Sequence, residues 1–184
     1  MINFGDELMY KKEKTNQIII ATVLSLLGKK NLKEITIADI CNEANIHRST
    51  FYTHFKDKYH VLEQVNSEIE KQFDKTLKVR FTLKKINMIL IQMVKDLDKD
   101  TFSIMIDIHE GPVDLERKLQ DVIRKRCSEF LLEQKILEKS DVLFQFVVSL
   151  FSSTALTFLK SAVREGNVSE KATLLDSLYE KLIE

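Results

Sequence analysis

The sequence predicts an all-α fold, a small N-terminal three-helix unit containing a helix-turn-helix, followed by a larger helical domain. Three observations carry that expectation. Only four Gly and one Pro serve 184 residues, whereas β-rich chains need turn chemistry roughly every 8–12 residues. Apolar residues recur at i, i+3, i+4 and i+7 in one segment after another, the period of a helix with one buried face. Two short helices are joined by a tight turn at Asn45, a residue type that reaches positive φ at low cost.

The opening MINFGDELMY has no clear period and is expected to be frayed or weakly docked. From Thr15 the pattern turns helical. Ile19, Val23, Leu24, Leu26 and Leu27 hold an apolar face until Gly28-Lys29-Lys30-Asn31, where Asn31 is expected as a left-handed C-cap and the lysines suit the negative end of the helix dipole. Thr36 opens the second helix with T-x-x-D spacing to Asp39, a capping-box arrangement. Ile37, Ile40, Cys41 and Ala44 then share one buried face, and the helix should stop near Ala44. Ile46 drops into the core, and a third helix runs through RSTFYTHF with Phe51 and Phe55 inward at i, i+4.

A longer helix from Lys58 reads through Val61, Leu62, Val65, Ile69 and Phe73, and the basic LKVRFTLKK after it reads as a solvated connector. Ile86, Ile89, Leu90, Met93 and Leu97 mark the next helix. Asp100 is expected to cap a short one carrying Phe102, Met105, Ile106 and His109, ended by Gly111-Pro112. An amphipathic helix follows, from about Asp114 to Glu133. Segment 141–159, DVLFQFVVSLFSSTALTFL, is apolar nearly all round; Gly166-Asn167 ends it, and SEKATLLDSLYEKLIE closes the chain. The domain boundary is expected in the helix that begins near Lys58, giving residues 1–62 and 63–184.

Lys+Arg and Asp+Glu each total 28, so there is no net charge. Any nucleic-acid role must therefore rest on a local basic patch. Two isolated cysteines, Cys41 and Cys127, argue against a disulfide scaffold and suit a reducing cytosol. No apolar run is expected to approach the ~20 uncharged residues that span a bilayer, and the start lacks a signal peptide's apolar stretch. A soluble, cytoplasmic protein without a membrane partner is the expectation. There is no Gly-rich phosphate loop and no paired carboxylate motif. His109-Glu110 lacks the HExxH pattern or a second clustered His. Neither an enzyme, a metal nor a cofactor is expected.

The stretch HRSTFYTHFKDKYHVL, residues 47–62, mixes histidines, aromatics, hydroxyls and cations, a composition too polar for core and too aromatic for a plain solvated face. With Phe51 and Phe55 inward, the opposite face of the third helix presents Arg48, Ser49, Tyr52 and Thr53. The DNA major groove admits one α-helix and displays base-edge donors and acceptors. Arg48 suits a bidentate pair with guanine, Ser49 and Thr50 allow close approach, and Thr53 can meet a base edge or a methyl group. Thr36, Tyr52, His54 and Lys58 are the candidates for phosphate contacts.

The run T-I-A-D-I-C-N-E-A-N-I-H-R-S-T-F-Y-T-H-F-K-D-K (36–58) resembles the DNA-binding signature of the tetracycline-repressor (TetR) family of bacterial transcriptional regulators, most specifically at T-F-Y-x-H-F-K-x-K (50–58). The likeness extends back to Ile19; beyond about residue 65 only the architecture is similar. The resemblance implies an N-terminal helix-turn-helix DNA-binding domain followed by a helical ligand-binding and dimerisation domain. It implies phosphate contacts at Thr36, Tyr52 and Lys58, base contacts near Arg48, Ser49, Thr50 and Thr53, and His54 where relatives carry an aromatic residue near the backbone. Three departures stand out. Asn31 and Asn45 replace the usual glycines. His47 replaces a small N-cap residue and can add a phosphate contact. Ala38 removes a side chain that reads bases in relatives.

In the second domain, Met88, Met93, Phe102, Met105, His109 and Phe151 are the candidate lining of an effector pocket, although such stripes also build plain cores. A helix apolar on nearly all faces needs cover. Phe144, Val148, Phe151 and Leu156, with Leu175 and Leu178 of the last helix, are expected to meet their mates in a homodimeric four-helix bundle. The functional expectation is a dimeric regulator bound to a pseudo-palindromic double-stranded DNA operator, a repressor released by an unidentified small molecule. The alternatives are an activator of the same family or a helical interaction module.

Overall fold

The computed structural model describes residues 4–83 and 86–183, with side chains described at 7, 9–78, 87–88 and 90–177. The described residues form α1 (Phe4–Leu27), α2 (Ile37–Ala44), α3 (Arg48–His54), α4 (Lys58–Leu83), α5 (Ile86–Asp96), α6 (Lys99–Met105), α7 (Leu115–Glu133), α8 (Phe144–Glu165) and α9 (Val168–Ile183), with 3₁₀ turns at Leu32–Glu34 and Gly111–Val113. The fold is all-α, as the sparse Gly and Pro content implies. Packing divides the chain into two units, Met1–Ser67 with Glu110–Val113, and Glu68–His109 with Asp114–Glu184. The division falls within α4, after Ser67, and it assigns the second 3₁₀ turn to the first unit.

In the first unit α1 packs against α2 and α3. Ile19, Val23, Leu26, Ile40, Phe51, Phe55, Val61 and Leu62 are buried, and so is Cys41. Local chemistry sets the helix ends. Thr36 caps α2, its hydroxyl accepting from the Asp39 N–H at 3.1 Å while the Asp39 carboxylate accepts from the Thr36 N–H at 2.9 Å, a cap of the kind that contributes about 1 kcal/mol. Asn45 ends α2 in the left-handed region at φ 52°. Its N–H donates to the Asn42 carbonyl and the Ile46 N–H to the Cys41 carbonyl, the paired bonds of a Schellman motif.

Three sequence expectations are corrected here. α1 begins at Phe4, ahead of Thr15. Asn31 is extended (φ −66°, ψ 149°), not left-handed; it stands before the first 3₁₀ turn, where the Glu34 carboxylate accepts its N–H at 3.1 Å. α4 runs on through the basic stretch to Leu83. Its buried stripe of Val65, Ile69, Phe73 and Leu77 keeps one face apolar beneath the lysines.

In the second unit α8 packs against α7, with α5, α6 and α9 also against it, and α5 pairs with α9. Asp114 caps α7, accepting the Arg117 N–H at 2.9 Å. α7 stops at Glu133 through Lys135, which takes positive φ (54°) without being Gly or Asn. α6 is capped by Asp98 rather than Asp100, and His109 lies beyond its end. Arg126 of α7 donates two bonds to Asp74 of α4, at 2.7 and 2.5 Å, and one to Glu129 at 2.7 Å. The carboxylates hold the guanidinium charged and it lowers the Asp74 pKa, chiefly through hydrogen bonding. Cys127 is buried and its thiol is pushed up to about 12 by desolvation, so it behaves as a small core residue.

The two faces of α8 differ sharply. Phe144 and Val148 pack with Cys127 and Leu131 in one cluster, Phe151 alongside, and Leu156 and Leu175 are also buried. Of the residues expected at a dimer interface, Phe144, Val148, Leu156 and Leu175 are thus buried within one chain and Phe151 is half-buried, while Leu178 lies outside the residues with described side chains. The outward stripe is Phe146 (62% exposed) and Leu150 (41%), followed at helical spacing by the exposed Ser153 and Thr157. α8 is also long and apolar enough, by length and composition alone, to cross a membrane. That corrects the expectation that no run approached such a length: residues 142–159 carry no charge. Its inner face is buried against the rest of the unit, and length and composition carry no further argument.

Candidate nucleic-acid interface

α3 is a two-faced helix. Phe51 is fully buried, and Phe55 just past its end is nearly so, their rings 6.1 Å apart. The opposite face leaves His47, Arg48, Ser49, Tyr52 and Thr53 exposed, with Thr50 half-buried. His47 stands at the N-cap position without a side-chain cap bond, so its ring is not spent on the helix. Tyr52 is 52% exposed and rests edge-on against Phe51 at 5.5 Å, which fixes the ring while leaving the phenol outward. The Thr53 hydroxyl donates to the Thr50 carbonyl at 2.6 Å, so its methyl and lone pairs are what it can offer to a ligand.

Arg48 sits in the first turn of α3 with its side chain exposed. The helix that carries it is held from behind by aromatic packing, and the face holds donors of the kinds that read base edges and phosphates. Its cationic and hydroxyl groups are local, which reconciles a binding surface with a chain of zero net charge.

Three residues read as phosphate ligands from the sequence make hydrogen bonds within the chain. The Lys58 ammonium donates to the carbonyls of Leu32 (2.5 Å), Ile35 (2.7 Å) and Lys33 (3.2 Å), which uses all three of its N–H groups. It ties the start of α4 to the segment between α1 and α2. The Thr36 hydroxyl both accepts from the Asp39 N–H and donates to the Asp39 carboxylate at 2.8 Å. Asp39 is held below the usual carboxylate range, first by the Thr36 N–H and then by that hydroxyl.

His54 is half-buried, its Nδ1 2.6 Å from Oδ1 of Asn16 on α1. An amide oxygen only accepts, so Nδ1 carries the proton. Burial, and then the charge of Lys12, depress the His54 pKa. The sequence had no means of finding Asn16, which lies 38 positions from its partner. His60, too, is structural: its Nδ1 accepts from the Lys56 N–H at 3.2 Å and its ring packs edge-on against Phe55.

The His54 arrangement makes the first unit sensitive to pH. The folded pKa lies below the ordinary 6.5, so the unfolded chain takes up its proton first. The stability it contributes is present above about pH 6.5 and is lost as pH falls from there through the lower folded value. Urea midpoints at pH 7.5 and 5.5 check this. The drop between them is expected to shrink in His54→Gln, and an undiminished drop places the dependence elsewhere.

Of the candidate pocket residues, Met93, Phe102 and Met105 are buried, with Phe151 partly so. Met88 is 63% exposed and His109 is exposed beside Asp114 and Glu116, at 3.8 and 4.0 Å, so neither lines the interior of its unit. No cluster of His, Cys, Asp and Glu suited to a metal ion occurs among the described residues.

Residues 19–65 match the family model of bacterial regulatory proteins of the tetR family. Residues 19–65 are thus similar to the N-terminal domain of that family. The match spans the buried side of α1 through the first turns of α4, and so contains the whole face described above. Comparison with curated proteins finds no match. Solved structures of similar fold include NalD, the secondary repressor of the MexAB-OprM multidrug efflux pump in Pseudomonas aeruginosa, at 15% identity and TM-score 0.72 over 93% of this chain and 96% of that one. A TetR transcriptional regulator from Streptococcus agalactiae is similar at 20% identity and TM-score 0.65 over 92% and 95%. The dihydroxyacetone kinase operon activator DhaS is similar at 17% identity and TM-score 0.60 over 92% and 96%. The likeness extends through both units, so the chain shares the fold of these proteins along nearly its whole length.

Proposed function

We propose that this protein is a homodimeric, sequence-specific repressor. Its two α3 helices enter successive major grooves of a pseudo-palindromic operator, and a small molecule taken up by the second unit releases it. The observation that carries the reading is the exposed face of α3, in which Arg48, Ser49, Tyr52 and Thr53 stand free on a helix anchored from behind by Phe51 and Phe55. Half-sites spaced by whole helical turns follow from a two-fold dimer.

Arg48 is the base-reading cation in this scheme, and Ser49 and Thr50 let the helix backbone approach. His47 and Tyr52 position the helix on phosphates. Selection of bound sequences from a random DNA library at physiological salt tests the reading, with an enriched inverted repeat as the expected result. Failure of folded protein to enrich any sequence would favour the interaction-module alternative. In the same assay Arg48→Ala is expected to relax specificity at one base pair per half-site, at a cost of about 1–3 kcal/mol. Unchanged base preferences would remove Arg48 from the reading set.

Effector binding is assigned to the interior around Met93, Phe102, Met105 and Phe151, where thioethers and aromatic rings can repack around an apolar guest. A ligand releases DNA if it binds better to a conformer whose two α3 helices are mis-spaced, because only differential affinity shifts an equilibrium. Repression is the simpler outcome of a dimer that occludes its own operator. The fold also serves a protein described as an operon activator, and a promoter-reporter assay with and without the regulator distinguishes the two signs.

A further inference from the structure

The first three turns of α1 are not explained by the core of the unit they belong to. Burial on α1 begins at Ile19, whereas every described side chain from Glu7 to Lys14 is exposed, including Met9 and Tyr10 at 70% each. A short helical extension with no buried face gains nothing from tertiary packing. Its lysines lie toward the body of the unit: Asp6 and Glu7 are at the far end, and Lys11, Lys12 and Lys14 follow, with Glu13 among them accepting a bond from the Gln17 amide at 2.9 Å. Lys11 is paired with Glu7 at 2.8 Å, while Lys12 and Lys14 have no ion-pair partner among the described residues.

Position gives those cations a target. The Asn16–His54 hydrogen bond holds one face of α1 against the C-terminal end of α3. Lys12 is four residues before Asn16, hence on the same face and about 6 Å further along the axis. It stands at the margin of the DNA-reading face, close enough for its charge to be felt by His54. The arm then continues about 12 Å further, to Phe4.

We propose that the N-terminal arm of α1 is a second DNA-contact surface, in which Lys12 binds the phosphate backbone flanking the bases read by α3. The inference rests on the reading of α3 as the DNA-contacting helix. The position of Lys12 beside the α3 face, and its charge without an ion-pair partner among the described residues, select DNA backbone as the occupant. Contacts of this kind add affinity without sequence information.

The test uses the operator recovered by library selection, in one version with long flanks and one trimmed to the inverted repeat, and the full-length protein with Lys12→Gln. On the long operator the variant is expected to bind about 3–10-fold more weakly near physiological salt, with a salt slope smaller by about 1 per protomer. On the trimmed operator wild type and variant should bind alike. If Arg48→Ala alters specificity while Lys12→Gln leaves affinity and salt slope unchanged on both lengths, the arm is not a contact and the α3 reading stands. If no protein form discriminates the operator from random DNA, the α3 reading falls and takes the arm with it. Should Lys12→Gln lower thermal stability, phosphate-ethylation interference on the wild type decides: interference outside the half-site supports the arm, and its confinement to the half-site overturns it.

Discussion

Replacing Lys58 with alanine lowers the stability of the first unit by about 2–4 kcal/mol, because three carbonyls lose one charged donor together and two of those bonds are part-buried. Thermal unfolding followed by circular dichroism reads the loss directly. Lys58→Arg is expected to recover little, since a planar guanidinium cannot deliver three N–H groups to carbonyls converging on one point. The same substitutions discriminate the two roles open to this residue. A phosphate ligand removed from the interface would leave the melting temperature alone and reduce the salt slope of DNA binding by about 1 per protomer. A fold-holding residue does the reverse. It weakens binding by depleting the folded unit while the folded fraction keeps its salt dependence. An unchanged melting temperature with a smaller slope would return Lys58 to the DNA.

Glutamate at Phe146 and Leu150 together is expected to convert the protein to a folded monomer. Both lie on the outward stripe of α8, where a carboxylate in a monomer meets only water, and Val142 and Leu143 just ahead of the helix are exposed as well. Burying two carboxylates in an apolar joint costs several kcal/mol each. Light scattering at micromolar concentration reads the mass. Operator affinity should fall by about 10²–10⁴, the advantage that a linked second half-site confers. Substituting the inward residues acts otherwise. Phe144→Ala removes a ring from the cluster with Cys127, Leu131 and Val148, and should cost about 3–5 kcal/mol of folding stability without changing the mass of the molecules that stay folded. A monomeric wild type at the same concentration would sink the dimer and leave α8's outward face for another partner.

Both experiments turn on residues for which the sequence and the packing suggest different roles. The T-x-x-D signal at Thr36 and Asp39 was legible because a capping box spans only three residues, and Asn45 because αL tolerance belongs to the residue type. Asp114 and the Gly166-Asn167 break were legible for the same reason. Leu77 was legible too, at i+4 from Phe73, but lay hidden among lysines that a helix carries on its other face. Asn31 misled because a left-handed cap and the start of a 3₁₀ turn draw on the same residue type, and the choice depends on Glu34 answering its N–H.

The sequence by itself determined the all-α class, the helix-turn-helix, the two aromatic anchors of α3 and the face opposite them. Each of these follows from period and capping, which act over a few residues. Tertiary structure decided which groups of the chain the polar side chains around that face bond to. Lys58 reaches carbonyls 23 to 26 positions away, and His54 meets Asn16 across 38. It also decided which side of α8 is interior. No charge marks an outer side between residues 142 and 159, and packing against α7 takes Phe144 and Val148 into the core while Phe146 and Leu150 stay outside.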